Sequence, residues 1–370
     1  MPRQLTDVRL QTLADLLCRY SLDVQPRDLV MVYTPAIAQP LVVEVVRTVT
    51  RMGGHVVLRT SLESVEAVRL ERATPAQLAT VTPLDHLDVE LPDKILSIWA
   101  HENLRFMSQV PSHNLALRAA ATEPLDRRLS ERQTNGENSW CGTLYPCQAS
   151  AQEAGMSLPD WEDFVYSAGH LGDDDPVAYW RNRSVDQQVV ADRLGKFAEI
   201  RIVAPDTDLT VNVAGRPWIN ADGRDNFPDG EVFTSPHHGA TEGTIAFSFP
   251  STYSGKRVTG VRLWFEHGRV VKAHADAGLE HLESTLDTDD GARFLGEVAF
   301  GLNDEIQITT GETLFDEKIG GTCHVALGMA FPEAGGTNPS GIHWDMVCDL
   351  RTDSQVFGDG RLIFENGRFL

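Results

Sequence analysis

Apolar positions in the first half of the chain follow two alternating patterns. Leu13, Leu16, Leu17 and Tyr20 fall at i, i+3, i+4 and i+7, the stripe of an amphipathic helix. The run LVMVYTP (Leu29–Pro35) is short and continuous, as a buried strand is. LVVEVVRTVTRM then returns to the helical period and is closed by Gly53-Gly54 at a C-terminal cap. HVVLRT and KILSIWA predict further buried strands, with helical segments between and after them. A strand is expected around Ser139–Tyr145. It is followed by a helix over SLPDWEDFVYSAG, N-capped at Ser157 with Pro159 in its first turn, and a second helix from about Val177 to Leu194. This alternation predicts a mainly parallel sheet covered by helices on both faces. No G-x-G-x-x-G or P-loop follows any of these strands, so nothing supports a nucleotide-binding version.

From about Ile200 the period becomes two. Leu209, Val211 and Val213 alternate with polar residues, as do Ile245, Phe247 and Phe249, and Val261, Leu263 and Phe265. EHG (Glu266–Gly268) and ENG (Glu365–Gly367) have the composition of hairpin turns. The second half is therefore expected to be mainly antiparallel β, an α+β domain with one helix or two, near Gly278–Leu286 and Asp290–Gly296. The domains expected are 1–195 and 196–370, with no internal repeat or low-complexity segment.

Composition narrows the function. The formal net charge of −21 argues against nucleic acid or an anionic membrane as the main partner, because both demand a basic face. The five cysteines are odd in number and lack C-x-x-C spacing, so neither a disulfide framework nor a zinc knuckle is suggested. The N-terminus has no apolar h-region, and the most apolar stretch, Leu29 to Val46, is interrupted by Pro35, Gln39, Pro40 and Glu44. A cytoplasmic location is the expectation.

Excess carboxylate is raw material for cation sites, and spacing selects among the candidates. In His343-Trp344-Asp345 a strand places the imidazole and the carboxylate on one face, as a metal ion requires, just after the loop GGTNPSG. His324 lies in the apolar run CHVALG, where a histidine hydrogen-bonded in a core is the competing reading. Glu297, in LGEVAFG, needs a cation or a donor network if it is buried. Glu231 opens EVFTSP and reads equally as a turn residue. His237-His238 reads as a loop, and His267 and His274 have no carboxylate at ligand spacing. Cys323 and His324, adjacent on a strand, point to opposite faces, which argues against a thiol nucleophile. No G-x-S-x-G elbow or H-E-x-x-H helix occurs.

In this order, the segments DGEVFTSP, TEGTIAF, LGEVAFGLND, LFDEKIGGTCHVALG and GGTNPSGIHWDMVCDLR, with TLYPCQASAQEAGMSLPDWEDFV upstream, resemble the aminopeptidase T family of metallo-aminopeptidases. The resemblance covers most of the chain and is strongest from about Trp140 onward. It implies that Glu231, Glu297, His324, His343 and Asp345 are metal ligands for two divalent ions (zinc, cobalt or magnesium), with Glu297 as the bridging ligand. It also implies release of N-terminal residues from short peptides by a homodimer. Glu242 and Glu317, in matching segments, are candidates for the general base or for orienting a histidine. The chain departs from the family at Phe331, where a tyrosine of the metal site is expected. A phenyl ring neither ligates nor donates a hydrogen bond. Two alternatives remain: a mononuclear iron(II) ring-cleaving dioxygenase using His324, His343 and Asp345, and a non-catalytic metal- or peptide-binding relative.

Overall fold

The computed structural model describes residues 7–370; residues 1–6, the start of the stretch read for a leader, lie outside the described residues. The chain divides into two compact units. One takes the chain up to Trp180 together with Gly223–Pro228, and the other takes Arg181–Asp222 and Asp229–Leu370. The division falls inside the helix Pro176–Leu194, whereas a single cut at 195 was expected. The short strand Asn226–Phe227 also returns to pair with the first unit's sheet.

In the first unit Leu29–Pro35 is the second strand of a five-stranded sheet. His55–Ser61 lies on one side of it, with Lys94–Trp99, Ser139–Leu144 and Asn226–Phe227 following on the other, and every pair is parallel. Parallel neighbours need a crossover, which the helix Gln39–Met52 supplies between the first two strands. Its stripe Leu41, Val42, Val45 and Val49 is buried, and Gly53 ends it at φ 85°. Leu13, Leu16, Leu17 and Tyr20 are all buried, on the helix Val8–Leu16 and the π-turn Leu17–Ser21 that continues it. Ser157 caps Leu158–Ala168 as expected, accepting from the Asp160 N–H.

The second unit is mainly antiparallel. Its eight-stranded sheet and its five-stranded sheet share one apolar core. Ile202, Leu209, Val211 and Leu263 come from the larger sheet; Val298, Phe300, Val325 and Trp344 come from the smaller. The two anticipated hairpins turn at His267-Gly268 and Asn366-Gly367, each with both residues at positive φ, as the right-handed twist of paired strands favours. The helix Leu279–Leu286 is present. The second helix expected at Asp290–Gly296 is absent. Turns run from Asp290 and the strand Leu295–Gly301 begins instead. The Asp289 carboxylate accepts the Gly291 N–H and the Asn338 amide donates to the Gly291 carbonyl, so this backbone is spent on a loop contact.

The smaller sheet runs in the order His343–Asp349, Thr322–Gly328, Leu295–Gly301, Glu231–Thr234, Ile219–Ala221. Gly328 ends the second of these strands at φ 98°, and a Cβ there would lie 2.3 Å from the Ile342 carbonyl oxygen. Gly328→Ala should therefore destabilise the chain by more than about 1 kcal/mol. A urea unfolding midpoint equal to wild type would show that this turn tolerates a side chain.

Candidate metal centre

Alternation divides the labour of the smaller sheet. Cys323, Val325 and Leu327 enter the core from one strand, and Trp344, Met346 and Cys348 from its neighbour. The opposite face carries His324, His343, Asp345, Glu297 and Glu231. Register brings these five together: Ala326 lies opposite both Glu297 and Asp345, His324 opposite Ala299, His343 opposite Gly328, and Glu231 opposite Gly301. Alanine and glycine form the floor between these five residues, so the long side chains lean over it toward one another.

His324 Nε2 lies 3.3 Å from Glu231 Oε2 and 3.3 Å from Glu297 Oε1. His343 Nε2 lies 3.5 Å from Glu297 Oε2 and 3.5 Å from Asp345 Oδ2. The His343 Nδ1–H donates to the Met329 carbonyl at 2.9 Å, which turns Nε2 toward the carboxylates. Two groups emerge, Glu231–Glu297–His324 and Glu297–His343–Asp345, each with its donor atoms within 4.8 Å of one another. Glu297 belongs to both.

Glu231, Glu297 and His324 are buried, Asp345 and His343 partly so, and the proton affinities of the five answer to one another. Burial alone would push His324 and His343 down, but the surrounding carboxylates raise them to about 9 and about 10. Burial works upward on Glu297, yet hydrogen bonds from the two histidines bring it down to about 2. Asp345 is driven well above the carboxylate range by burial and then by the charge of Glu317. Burial raises Glu231 against the pull of Lys318 and His324.

Lys318 was not singled out in the sequence, where it stands only as part of the segment LFDEKIGGTCHVALG. Its side chain is 1% exposed, and its ammonium donates to Glu231 Oε1 at 2.6 Å and Glu317 Oε2 at 2.9 Å, with Asp229 Oδ1 at 3.7 Å. The only available signal was the apolar and glycine context that follows it, IGG. Of the two glutamates considered for catalysis, Glu317 stands at the site. Glu242 does not: it lies in the larger sheet, more than half exposed, accepting the His267 N–H at 2.9 Å and facing that imidazole at 3.2 Å. Its contacts are those of a hairpin, away from the five residues gathered on the smaller sheet. His237 and His238 lie in a loop, and Cys323 points into the core opposite Cys348, as expected. Phe331 packs beside the site, its ring 4.8 Å from that of His343 and 5.7 Å from that of Phe233.

The donor set fits divalent cations. Glu231 Oε2 is buried without a hydrogen bond, and the histidine nitrogens that face carboxylates are those that ligate when neutral. Mixed imidazole and carboxylate ligands suit borderline ions.

Comparison with known proteins finds relatives over nearly the whole chain. The description "thermophilic metalloprotease (M29)" matches residues 6–369. Aminopeptidase 2 of Geobacillus stearothermophilus is 28% identical over 97% of each chain. Among solved structures, wild-type AmpT from Thermus thermophilus superposes with a TM-score of 0.83 at 24% identity, covering 98% of this chain and 99% of that one. A 2,5-dihydroxypyridine dioxygenase from Pseudomonas putida gives 0.60 at 13% identity, covering 99% and 98%. At such identities both superpositions speak to the fold alone.

The raised histidines imply a pH dependence. Their folded values lie above the ordinary 6.5, so the stabilisation is complete below that pH and disappears as pH climbs through about 9 and 10. Metal-free protein should lose thermal stability between pH 7 and pH 10, by roughly 1.4 kcal/mol per pH unit for each extra proton held. Saturating zinc, which replaces those protons, should flatten the slope. Differential scanning calorimetry across that range checks this, and a metal-free Tm that rises with pH would contradict the assignment.

Proposed function

The chain belongs to the thermophilic metalloprotease (M29) family and is a metallo-aminopeptidase, and from that premise we propose that it removes the N-terminal residue of short peptides at a two-metal site. The observation that carries this reading is the pair of ligand groups joined by Glu297. Glu231, Glu297 and His324 would hold one divalent ion; Glu297, His343 and Asp345 would hold the other. Zinc, cobalt and magnesium are the candidates. Charge supports two: Asp229, Glu231 and Glu317 surround the Lys318 ammonium, and Glu297 and Asp345 lie close to them, so five carboxylates share one ammonium. Four negative charges remain, as many as two divalent ions neutralise.

When bound, such a pair activates a water and polarises the scissile carbonyl. The chain's own residues supply the geometry. The Met329 carbonyl fixes the His343 ring, Lys318 occupies one oxygen of Glu231 and leaves the other to face the site, and the alanine floor keeps the donors' approach open. The homodimeric state in this reading rests on the family resemblance, and the cytoplasmic location on the pattern of apolar residues along the sequence. Among the described residues no helix is long and apolar enough to cross a membrane.

Glu231 and Glu297 distinguish this site from a mononuclear iron triad, which needs neither. Metal analysis of purified protein should find two non-iron divalent ions per chain, with p-nitroaniline released from aminoacyl p-nitroanilides. One iron per chain with oxygen uptake would favour the dioxygenase, and no release by folded, metal-loaded protein would sink the peptidase. Asp345→Asn should leave one ion, whereas Glu297→Gln should lose both. Phe331→Tyr places a phenol beside His343 and should raise kcat, by as much as about 10²–10³-fold if it donates to the transition state. An unchanged kcat would show that this chain's chemistry does not use the phenol.

A further inference from the structure

One cavity lies wholly in the first unit, which carries none of the five residues of the candidate metal centre. It opens at the carboxyl ends of three parallel strands. Pro35 ends Leu29–Pro35, Ser61 ends His55–Ser61 and Trp99 ends Lys94–Trp99, and all three residues line it. From the first of these strands the chain goes to a neighbour on one side and then to a neighbour on the other. At such a reversal the connections leave in opposite directions, and a crevice forms beyond the strand ends where open parallel sheets take up ligands. The volume is about 240 Å³. Pockets for drug-sized molecules run to about 300–1,000 Å³, so the occupant here is smaller.

The walls name the class of ligand. Tyr33, Trp99 and Phe106 contribute three rings, Glu63 and Glu66 contribute two carboxylates, and no lysine or arginine among the described residues lines the cavity. Trp99 is 36% exposed yet held in place: a Cβ at position 142 would lie 2.3 Å from its ring, so Gly142 leaves the space the indole fills, and the Trp140 ring stands 6.1 Å away. Glu63 fastens the wall that follows Trp99. Its Oε1 accepts the Glu102 N–H and faces His101 Nδ1, both at 3.0 Å, and its Oε2 accepts the Asn103 N–H at 3.1 Å. Glu66 gives Oε2 to Arg69, and no hydrogen bond from the described residues reaches its Oε1. Carboxylates without a lining cation exclude phosphates and other anions. A primary ammonium needs three acceptors, and the two glutamates leave one oxygen free. Ring faces attract cations whose charge is dressed in methyl groups. We propose that this cavity binds a small alkylated ammonium compound, with Trp99 and Phe106 as its aromatic walls and Glu66 as its counter-ion.

Calorimetric titration of the full, zinc-loaded chain tests this without reference to peptide hydrolysis. The probes are choline, its neutral carbon-for-nitrogen analogue 3,3-dimethylbutan-1-ol, and ethanolamine, whose ammonium carries no methyl group. Choline should saturate one site per chain, and the other two should bind at least about 10-fold more weakly. Trp99→Leu and Phe106→Leu keep apolar bulk and remove a ring, and each should weaken choline by about 2–30-fold. Glu66→Gln should weaken it too. That change sits at a partly exposed helix position and keeps the charge arm of the test open should Trp99→Leu not fold. Zinc content and thermal midpoint, measured on every variant, identify those that are folded. No saturable binding of millimolar choline by wild type overturns the proposal. Equal binding of the neutral alcohol overturns it by removing the role of charge, and equal binding of ethanolamine by removing that of the methyl groups. Choline affinity unchanged in the folded variants overturns it by placing the binding elsewhere.

Discussion

Buried negative charge is the constraint on which the second unit depends. Glu297 is buried on a sheet strand with an imidazole on each side, and three further carboxylates, Glu231, Glu317 and Asp345, lie in the same small volume. Charges withdrawn from water are tolerated only when opposite charges and hydrogen bonds replace the solvent. That requirement accounts for the two raised histidines, for the fully buried Lys318, and for an arrangement whose donors suit divalent cations.

The two faces of one sheet reconcile this demand with stability. The strand that offers His324 also sends Cys323, Val325 and Leu327 into an apolar core shared with the larger sheet. The core holds the backbone in register, and register in turn holds donors from four strands close together. Alanine and glycine on the charged face keep it from filling with its own side chains. Lys318 adds a second level of order, because a single ammonium bonds Glu231 and Glu317 at once.

The backbone alone does not decide the chemistry. A dioxygenase and an aminopeptidase both superpose on this chain over nearly its full length, so the argument for function lies in the donors. Glu231 and Glu297 stand with His324 in a group of donors that could hold an ion, and a three-ligand iron site has no use for the two glutamates. Phe331, against the ring of His343, is the place where this chain differs from the aromatic residue its resemblance leads one to expect.

Much of this was legible in the sequence, wherever the physics is local. The helical stripe of Leu13 to Tyr20, the strand Leu29–Pro35, the cap at Gly53 and the turns at Gly268 and Gly367 follow from periodicity and backbone preference within a few residues. His343 and Asp345 could be placed on one face because a strand alternates. The helix expected at Asp290–Gly296 failed where a distant partner, Asn338, claimed the backbone. Glu242 and Glu317 looked alike in the sequence, and only pairing across sheets separated a hairpin contact from a residue of the site. Lys318 was invisible for the same reason: a charged residue's burial depends on which distant carboxylates the fold brings to it. The sequence by itself determined the elements and the kinds of donor available. The tertiary structure decided which donors meet, because their approach is set by strand register and shared burial rather than by neighbours along the chain.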